Sequence, residues 1–361
     1  MSARATPPPI DLALQGGGSH GAFTWGVLDR LLEDEALAID GVSGTSAGAL
    51  NAAVMATGWA EGGRAGARAA LQAFWHDVAR APGCFGPCVD ASLPPWLSPW
   101  AAWTAALPLG SYNLDHHPGY AWMSQALQLW GPYQFNPLGD NPLRPLLQRH
   151  VQVPALRDGP LRLFVTATAV RTGQPRVFSG TALSHEALMA SACLPQLYKA
   201  VTIDGEPYWD GGYSGNPALW PLIYETPAMD VVLVRIDPLV RMQTPTTPDA
   251  IADRVNEISF NAALASEMRA IHFVQRLLAE HRVDPAHYRS LRLHAIADDA
   301  ALEPLHASSK LNTDLGLLQR LQRLGRDAAD RWLRAHRRDL GRRSTLDVAA
   351  GFLAPRAGSD G

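Results

Sequence analysis

The sequence predicts an α/β fold, and three observations carry the prediction. Strand, turn and helix alternate twice before Thr57; a buried-strand pattern recurs at Val231–Ile236 (VVLVRI); and the 361 residues are 47% hydrophobic and 18% charged, enough apolar content for a sizeable core. A composition this apolar lies far from the disordered class.

Ile10–Leu14 (IDLAL) reads as a short strand running into Gln15-Gly16-Gly17-Gly18, a stretch only a turn uses, after which Ser19 is placed to cap a helix. From Ala22, the apolar positions Phe23, Val27, Leu28, Leu31 and Leu32 recur at helical spacing, and Ala36–Val42 supplies the next strand. Ser46–Thr57 follows as a helix of small residues suited to close packing on a sheet, and residues 64–81 as another amphipathic helix. Residues 84–137 change character: Pro, Gly and aromatics dominate and five of the eleven tryptophans fall there, which marks an insertion or cap. Regular patterning returns with a strand at Leu161–Val170, a helix near His185–Ala192, strands near Val201 and at Val231–Ile236, a proline-broken loop at 241–248, a long helix to His281, a strand at Leu291–Ile296 and a final helix from Thr313. The expected organisation is an N-terminal tail at 1–9, one α/β domain at 10–300 carrying the insertion, a basic helical extension at 301–350 and a mobile tail at 351–361.

The net charge of −3 argues against a nucleic-acid binder covered in basic surface. Cys84, Cys88 and Cys193 have no second CxxC or histidine set near them, so neither a disulfide framework nor a zinc site is expected. The apolar run after the N-terminal prolines is too short for a signal peptide, and the longest uncharged stretch, Ala91–Leu114, is interrupted by four prolines, so no transmembrane helix is expected and the protein is read as cytoplasmic.

Gly44-Thr45-Ser46-Ala47-Gly48 matches G-x-S-x-G between an apolar strand and a small-residue helix, the context in which a sharp turn exposes a serine hydroxyl; Ser46 is the candidate nucleophile, with Gly44 and Gly48 as the small neighbours of that elbow. Gly16-Gly17-Gly18-Ser19-His20-Gly21 admits two readings. Its backbone N–H groups suit an oxyanion hole, and the same spacing fits a dinucleotide-binding loop with Asp40 as the ribose ligand of an oxidoreductase. A dehydrogenase needs no G-x-S-x-G on its next strand, whereas a serine hydrolase needs both. Asp210-Gly211-Gly212, after the strand-like Pro207-Tyr208-Trp209, places a carboxylate at a strand end as candidate base.

Together GGGSHG, GTSAG and DGG, with Ala190-Ser191-Ala192-Cys193-Leu194-Pro195 shortly before the last, resemble the patatin-like phospholipase family over about residues 10–217. The resemblance implies a three-layer α/β/α hydrolase-like fold with a mostly parallel sheet. It also implies acyl-ester hydrolysis by a dyad of Ser46 and Asp210, an oxyanion loop at Gly16, Gly17 and Gly18, and neither metal nor cofactor. The expected substrate is a lipid or other acyl ester, with no nucleic-acid partner. One departure stands out: family members usually carry Arg or Lys where this chain has His20, and a neutral imidazole removes a fixed positive charge beside the loop. His20 is therefore either a substrate contact or a packing residue at the helix start.

Two further readings stay open on the residues alone. A Ser-Asp-His triad could use a later histidine such as His281, His294 or His306, and the fold could serve as a non-catalytic acyl-binding module. Trp96, Trp100 and Trp103 in the insertion suit an acyl pocket or equally a cap core. Residues 310–343 hold ten Lys and Arg against four Asp on an amphipathic helix, which suits either a core-facing stripe with a solvated Arg face or peripheral contact with an anionic membrane at its inner face.

Overall fold

Along β1 (Pro9–Leu14) successive side chains point to opposite faces, and both faces are buried: Ile10, Leu12 and Leu14 enter one core and Ala13 another. A strand buried on both sides needs cover on both sides, which the helical crossovers of parallel strands provide. The computed structural model describes residues 8–81, 109–115, 129–134, 136 and 139–353. In it β1 joins β2 (Ala38–Thr45), β3 (Arg162–Ala169), β4 (Pro175–Phe178), β5 (Val201–Ile203), β6 (Glu206–Asp210), β7 (Asp230–Val234) and β8 (Arg292–Ile296) in one sheet of order β5-β6-β3-β2-β1-β7-β8, with β4 on β3 beside that path. Strands β8, β7, β1, β2 and β3 run parallel, and β4, β5 and β6 are attached by antiparallel pairings. This is the α/β fold that the alternating pattern predicts, with the mostly parallel sheet that the resemblance implies.

Helices α1 (Gly21–Leu32), α2 (Ala47–Arg80), α3 (Leu143–His150), α4 (Val153–Asp158) and α5 (His185–Ser191) cover one face. Helices α6 (Trp220–Glu225) and α7 (Pro248–Ala279) cover the other, and a short α8 (Asp299–Leu302) follows β8. The helices expected at 46–57 and 64–81 are two arms of α2, broken where Gly62 and Gly63 leave helical geometry. The final helix, α9 (Leu315–His336), is no appendage: Leu317, Leu318, Leu321, Ala328 and Trp332 belong to the same core as β1 and α1. Three arginines on or just after it are engaged within the fold, Arg326 with Asp29 and Glu33, Arg331 with Asp298 at 2.6 Å, and Arg337 with Asp34 at 2.5 Å. Residues 349–353, expected in part as a mobile tail, form a helical turn whose Phe352 and Leu353 pack on the second core. No helix among the described residues is long and apolar enough to cross a membrane.

Register sets up the site. Leu14 pairs with Gly44 and with Val234, and Thr45 with Thr166, so the loops leaving β1, β2 and β7 emerge at one edge. Ala167 on β3 pairs with Asp210 on β6, which brings the end of β6 to the same edge.

Candidate active site

Ser46 occupies the single residue between β2 and α2, with φ 51° and ψ −125°, a conformation that costs a side-chain-bearing residue energy and that sharp strand-to-helix elbows impose on a nucleophile. The turn is possible because a Cβ on Gly44 would sit 2.7 Å from the Gly48 backbone, and one on Gly48 would strike the carbonyl of Leu14. The backbone N–H of Ser46 donates to Ser191 Oγ at 2.9 Å. Thr45 Oγ1 donates to the Gly215 carbonyl at 2.6 Å and Ser43 Oγ to that of Ala218 at 2.5 Å, tying the end of β2 to the segment after DGG.

Asp210 ends β6 and is fully buried. Its Oδ1 accepts the Gly212 N–H at 2.8 Å, a contact the two glycines permit by letting the chain fold back at once. Oδ2 has no hydrogen bond of ordinary geometry, yet the Ser46 hydroxyl is close enough to act on the carboxyl. Burial pushes the Asp210 carboxyl up to about 7, against the Gly212 N–H, the Ser46 hydroxyl and the charge of Lys310, which all favour the anion.

The glycine loop leans on this elbow. A Cβ at Gly16 would lie 2.7 Å from Ser46 Cβ and 2.6 Å from the Thr45 carbonyl, so only glycine allows the loop to approach the serine this closely. Gly16 itself is not a free donor, which corrects its expected place in the oxyanion loop: its N–H is committed to Asn216 Oδ1 at 2.7 Å. The N–H groups of Gly17 and Gly18 have no such partner among the described residues. Gln15 anchors the loop from below, its Oε1 accepting the N–H groups of Ile236 and Asp237 at 2.9 and 3.0 Å.

The family model of the patatin-like phospholipases matches residues 12–223, a span holding every one of these motifs. The chain belongs to the patatin-like phospholipase family. Among solved structures it is similar to VipD from Legionella pneumophila, at 14% identity over 91% of this chain and 67% of that one, with a TM-score of 0.40. It is also similar to the ExoU–SpcU complex from Pseudomonas aeruginosa, at 21% identity over 71% of this chain and 51% of that one, with a TM-score of 0.29, so it spans about half the length of that structure's chain. No curated protein sequence matches it.

Several expected residues take other places in this patatin-like domain. His20 is buried, with Nε2 2.8 Å from Ser309 Oγ. Burial, then the charges of Lys310 and Arg241, hold the ring well below the usual histidine range, so it is a neutral packing residue behind the loop and not a substrate contact. Asp40 lies near the start of β2, paired with Arg162 at 3.2 Å, at the opposite end of the strand from the glycine loop, where it could not meet a ribose held by that loop. His294 is buried on β8, bridging Asp230 at 3.0 Å and Thr345 at 2.9 Å; His306 pairs with Asp115 at 2.8 Å; and His281 lies in the turn just past α7. None is among the groups that act on Asp210. Trp96, Trp100 and Trp103 lie outside the described residues.

Sequence reasoning missed Ser191, Asn216, Gln15, Asp237 and Lys310. Ser191 lay inside a noted block, and Asn216 follows DGG closely, but nothing local marks either as a partner of the elbow or the loop. A second buried carboxyl, Asp11, is also raised to about 7, chiefly by burial, yet it hydrogen-bonds Gly41 and Thr226 inside the domain and shows that a shifted pKa alone does not make a site. Cys193 is likewise inert: burial pushes its thiol up to about 12.

Proposed function

We infer that the chain is a serine acyl hydrolase of lipid esters working through Ser46 and Asp210. The observation that supports this most is the division of labour on Asp210 in a fully buried site: Oδ1 is held by the Gly212 N–H, Oδ2 has no hydrogen-bond partner among the described residues, and the Ser46 hydroxyl acts on the carboxyl. A carboxyl raised to about 7 is a stronger base than an exposed aspartate while still ionised in useful fraction near neutrality.

In this reading Ser46 Oγ forms a bond to the ester carbonyl carbon as its proton passes to Asp210 Oδ2. The carbonyl electron pair moves onto oxygen, and the N–H groups of Gly17 and Gly18 receive the resulting oxyanion. When the tetrahedral intermediate collapses, the ester C–O bond breaks and the departing alcohol takes the proton from Asp210. Water then gives its proton to Asp210 and attacks the acyl carbon; the bond to Oγ breaks, Ser46 recovers the proton, and the carboxylic acid leaves. Every proton removed is returned within the cycle, so the dyad suffices without a histidine.

The test is hydrolysis of p-nitrophenyl esters of graded chain length beside intact phospholipids, with a fluorophosphonate probe for the serine. Ser46→Ala and Asp210→Asn should each abolish turnover in a folded protein, and the probe should label Ser46. A folded wild-type protein that neither turns over nor labels would leave an acyl-binding module, and full activity in Asp210→Asn with loss in a histidine variant would replace the dyad by a triad.

A further inference from the structure

The chain has 29 arginines and only two lysines, and one of the two, Lys310, is packed against the glycine loop. It sits in a tight turn, Ala307–Leu311, whose backbone closes on Gly18: with φ +56°, Gly18 takes a left-handed conformation, and any Cβ there would strike the Lys310 carbonyl. The same turn supplies Ser309 to neutral His20. The Lys310 side chain is nearly buried, its Nζ 2.7 Å from Oδ1 of buried Asp237, just beyond β7. The pair meets off the line of a hydrogen bond, so Nζ and Asp237 Oδ2 have no hydrogen-bond partners among the described residues. Nζ also lies 5.8 Å over the ring of Phe260, which closes on Gly212 beside Asp210.

We propose that Lys310 is a positioning residue for hydrolysis, an ammonium fixed by Asp237 behind the glycine loop that holds Asp210 as the carboxylate base and supplies the positive charge absent from position 20. The inference rests on the Ser46–Asp210 reading. An ion pair has little net charge at a distance, but here the ammonium borders the site: Nζ lies over the Phe260 ring, which closes on Gly212 beside Asp210, and Lys310 favours the Asp210 anion. Lys310 likewise depresses His20, which makes a neutral imidazole at position 20 a consequence of the lysine's nearness as well as of burial. The other charges facing Lys310 are Glu257, bound by Arg241 at 2.7 Å and Arg254 at 3.1 Å, and Asp253, raised to about 6 by burial and by Asp115 and Glu257.

The test is the pH profile of kcat/KM for a neutral p-nitrophenyl ester and of fluorophosphonate labelling, both in an Asp253→Asn background so that the acid limb reports Asp210. Lys310→Met should move that limb to higher pH by about one unit, because an aspartate without its neighbouring cation ionises less readily, and should lower kcat more than it raises KM. Lys310→Arg should keep the limb near its original position. Lys310→Gln removes the charge while keeping a polar end for Asp237 and should move the limb the same way, so the inference is testable even if Lys310→Met fails to fold. Limbs that coincide in Lys310→Met and wild type, or, where that variant does not fold, in Lys310→Gln and wild type, would overturn it and reduce the lysine to a packing role. A wild-type protein that neither labels nor turns over would overturn the dyad reading, and this inference with it.

Discussion

Ser191 Oγ accepts the backbone N–H of Ser46 at 2.9 Å, so the ASACLP stretch and the GTSAG elbow, 145 residues apart, meet in one buried hydrogen bond. Ser46 holds a φ that ordinary residues avoid, and a strained conformation persists only where its surroundings over-determine it. Ser191 is one of those constraints. Replacing it by Ala leaves a buried N–H without a partner, at a stability loss of about 1–3 kcal/mol. Ser191→Ala should lower kcat by roughly 10-fold or more, the consequence of a misplaced nucleophile. Steady-state kinetics beside thermal melts would show whether kcat falls by more than the loss of folded protein explains.

Asp210 should be a site of conflict between activity and stability. Its folded-state pKa, about 7, lies above its ordinary value of 3.8. Its contribution to stability is therefore fully present below about pH 4 and is lost as pH rises through about 7. Asp210→Asn escapes that loss. The variant should be inactive yet more stable than wild type at pH 8, by about 1–4 kcal/mol, with the gap closing toward pH 4. Denaturant melts at the two pH values measure it.

The same reasoning sets the pH of greatest stability. Asp11 and Glu267, both raised to about 7 chiefly by burial, add to the loss on the alkaline side. Asp230 works the other way: burial alone would raise it, but His294, Arg292 and the Gly341 N–H outweigh that and hold it at about 2. Its contribution is present above about pH 4 and disappears as pH falls through about 2. Melting temperature should peak between about pH 4 and 6 and decline toward pH 8, and Asp11→Asn should flatten the alkaline decline. A peak at pH 8 would contradict this balance.

The glycine loop should tolerate no side chain at its point of contact with the serine. Gly16→Ala drives a methyl into Ser46 Cβ and the Thr45 carbonyl and should cut kcat/KM by roughly 10²-fold, on the scale of a lost oxyanion donor. Gly62→Ala, whose Cβ would meet nothing within 4 Å, serves as the control and should keep full activity.

On α9, Arg326 joins Asp29 of α1 and Glu33 just after it, two acidic groups that Arg68 also contacts. Arg326→Ala should lower stability by about 1 kcal/mol, a modest figure because the guanidinium is partly solvated. Engaged arginines have less to offer a membrane, so binding to anionic vesicles by co-sedimentation should be weak and should vanish at raised salt.

The sequence by itself determined what is encoded locally. Alternation of β1, α1, β2 and α2 is written in apolar periodicity, and Ser46, Asp210 and the glycines at 16–18, 44 and 48 are legible because sharp turns and close backbone approach demand those residue types at fixed spacings. Tertiary structure alone decided what depends on pieces far apart in the chain meeting. It committed the N–H of Gly16 to Asn216 and that of Ser46 to Ser191, put Asp40 at the wrong end of β2 for a ribose, sent His294 to Asp230, and set Lys310, 264 residues after Ser46, behind the loop whose own position 20 carries no charge. The physical reason is that hydrogen bonds, desolvation and Coulomb forces act through space. No spacing along the chain records which buried donor a distant acceptor will satisfy, or which carboxyl a distant ammonium will keep ionised.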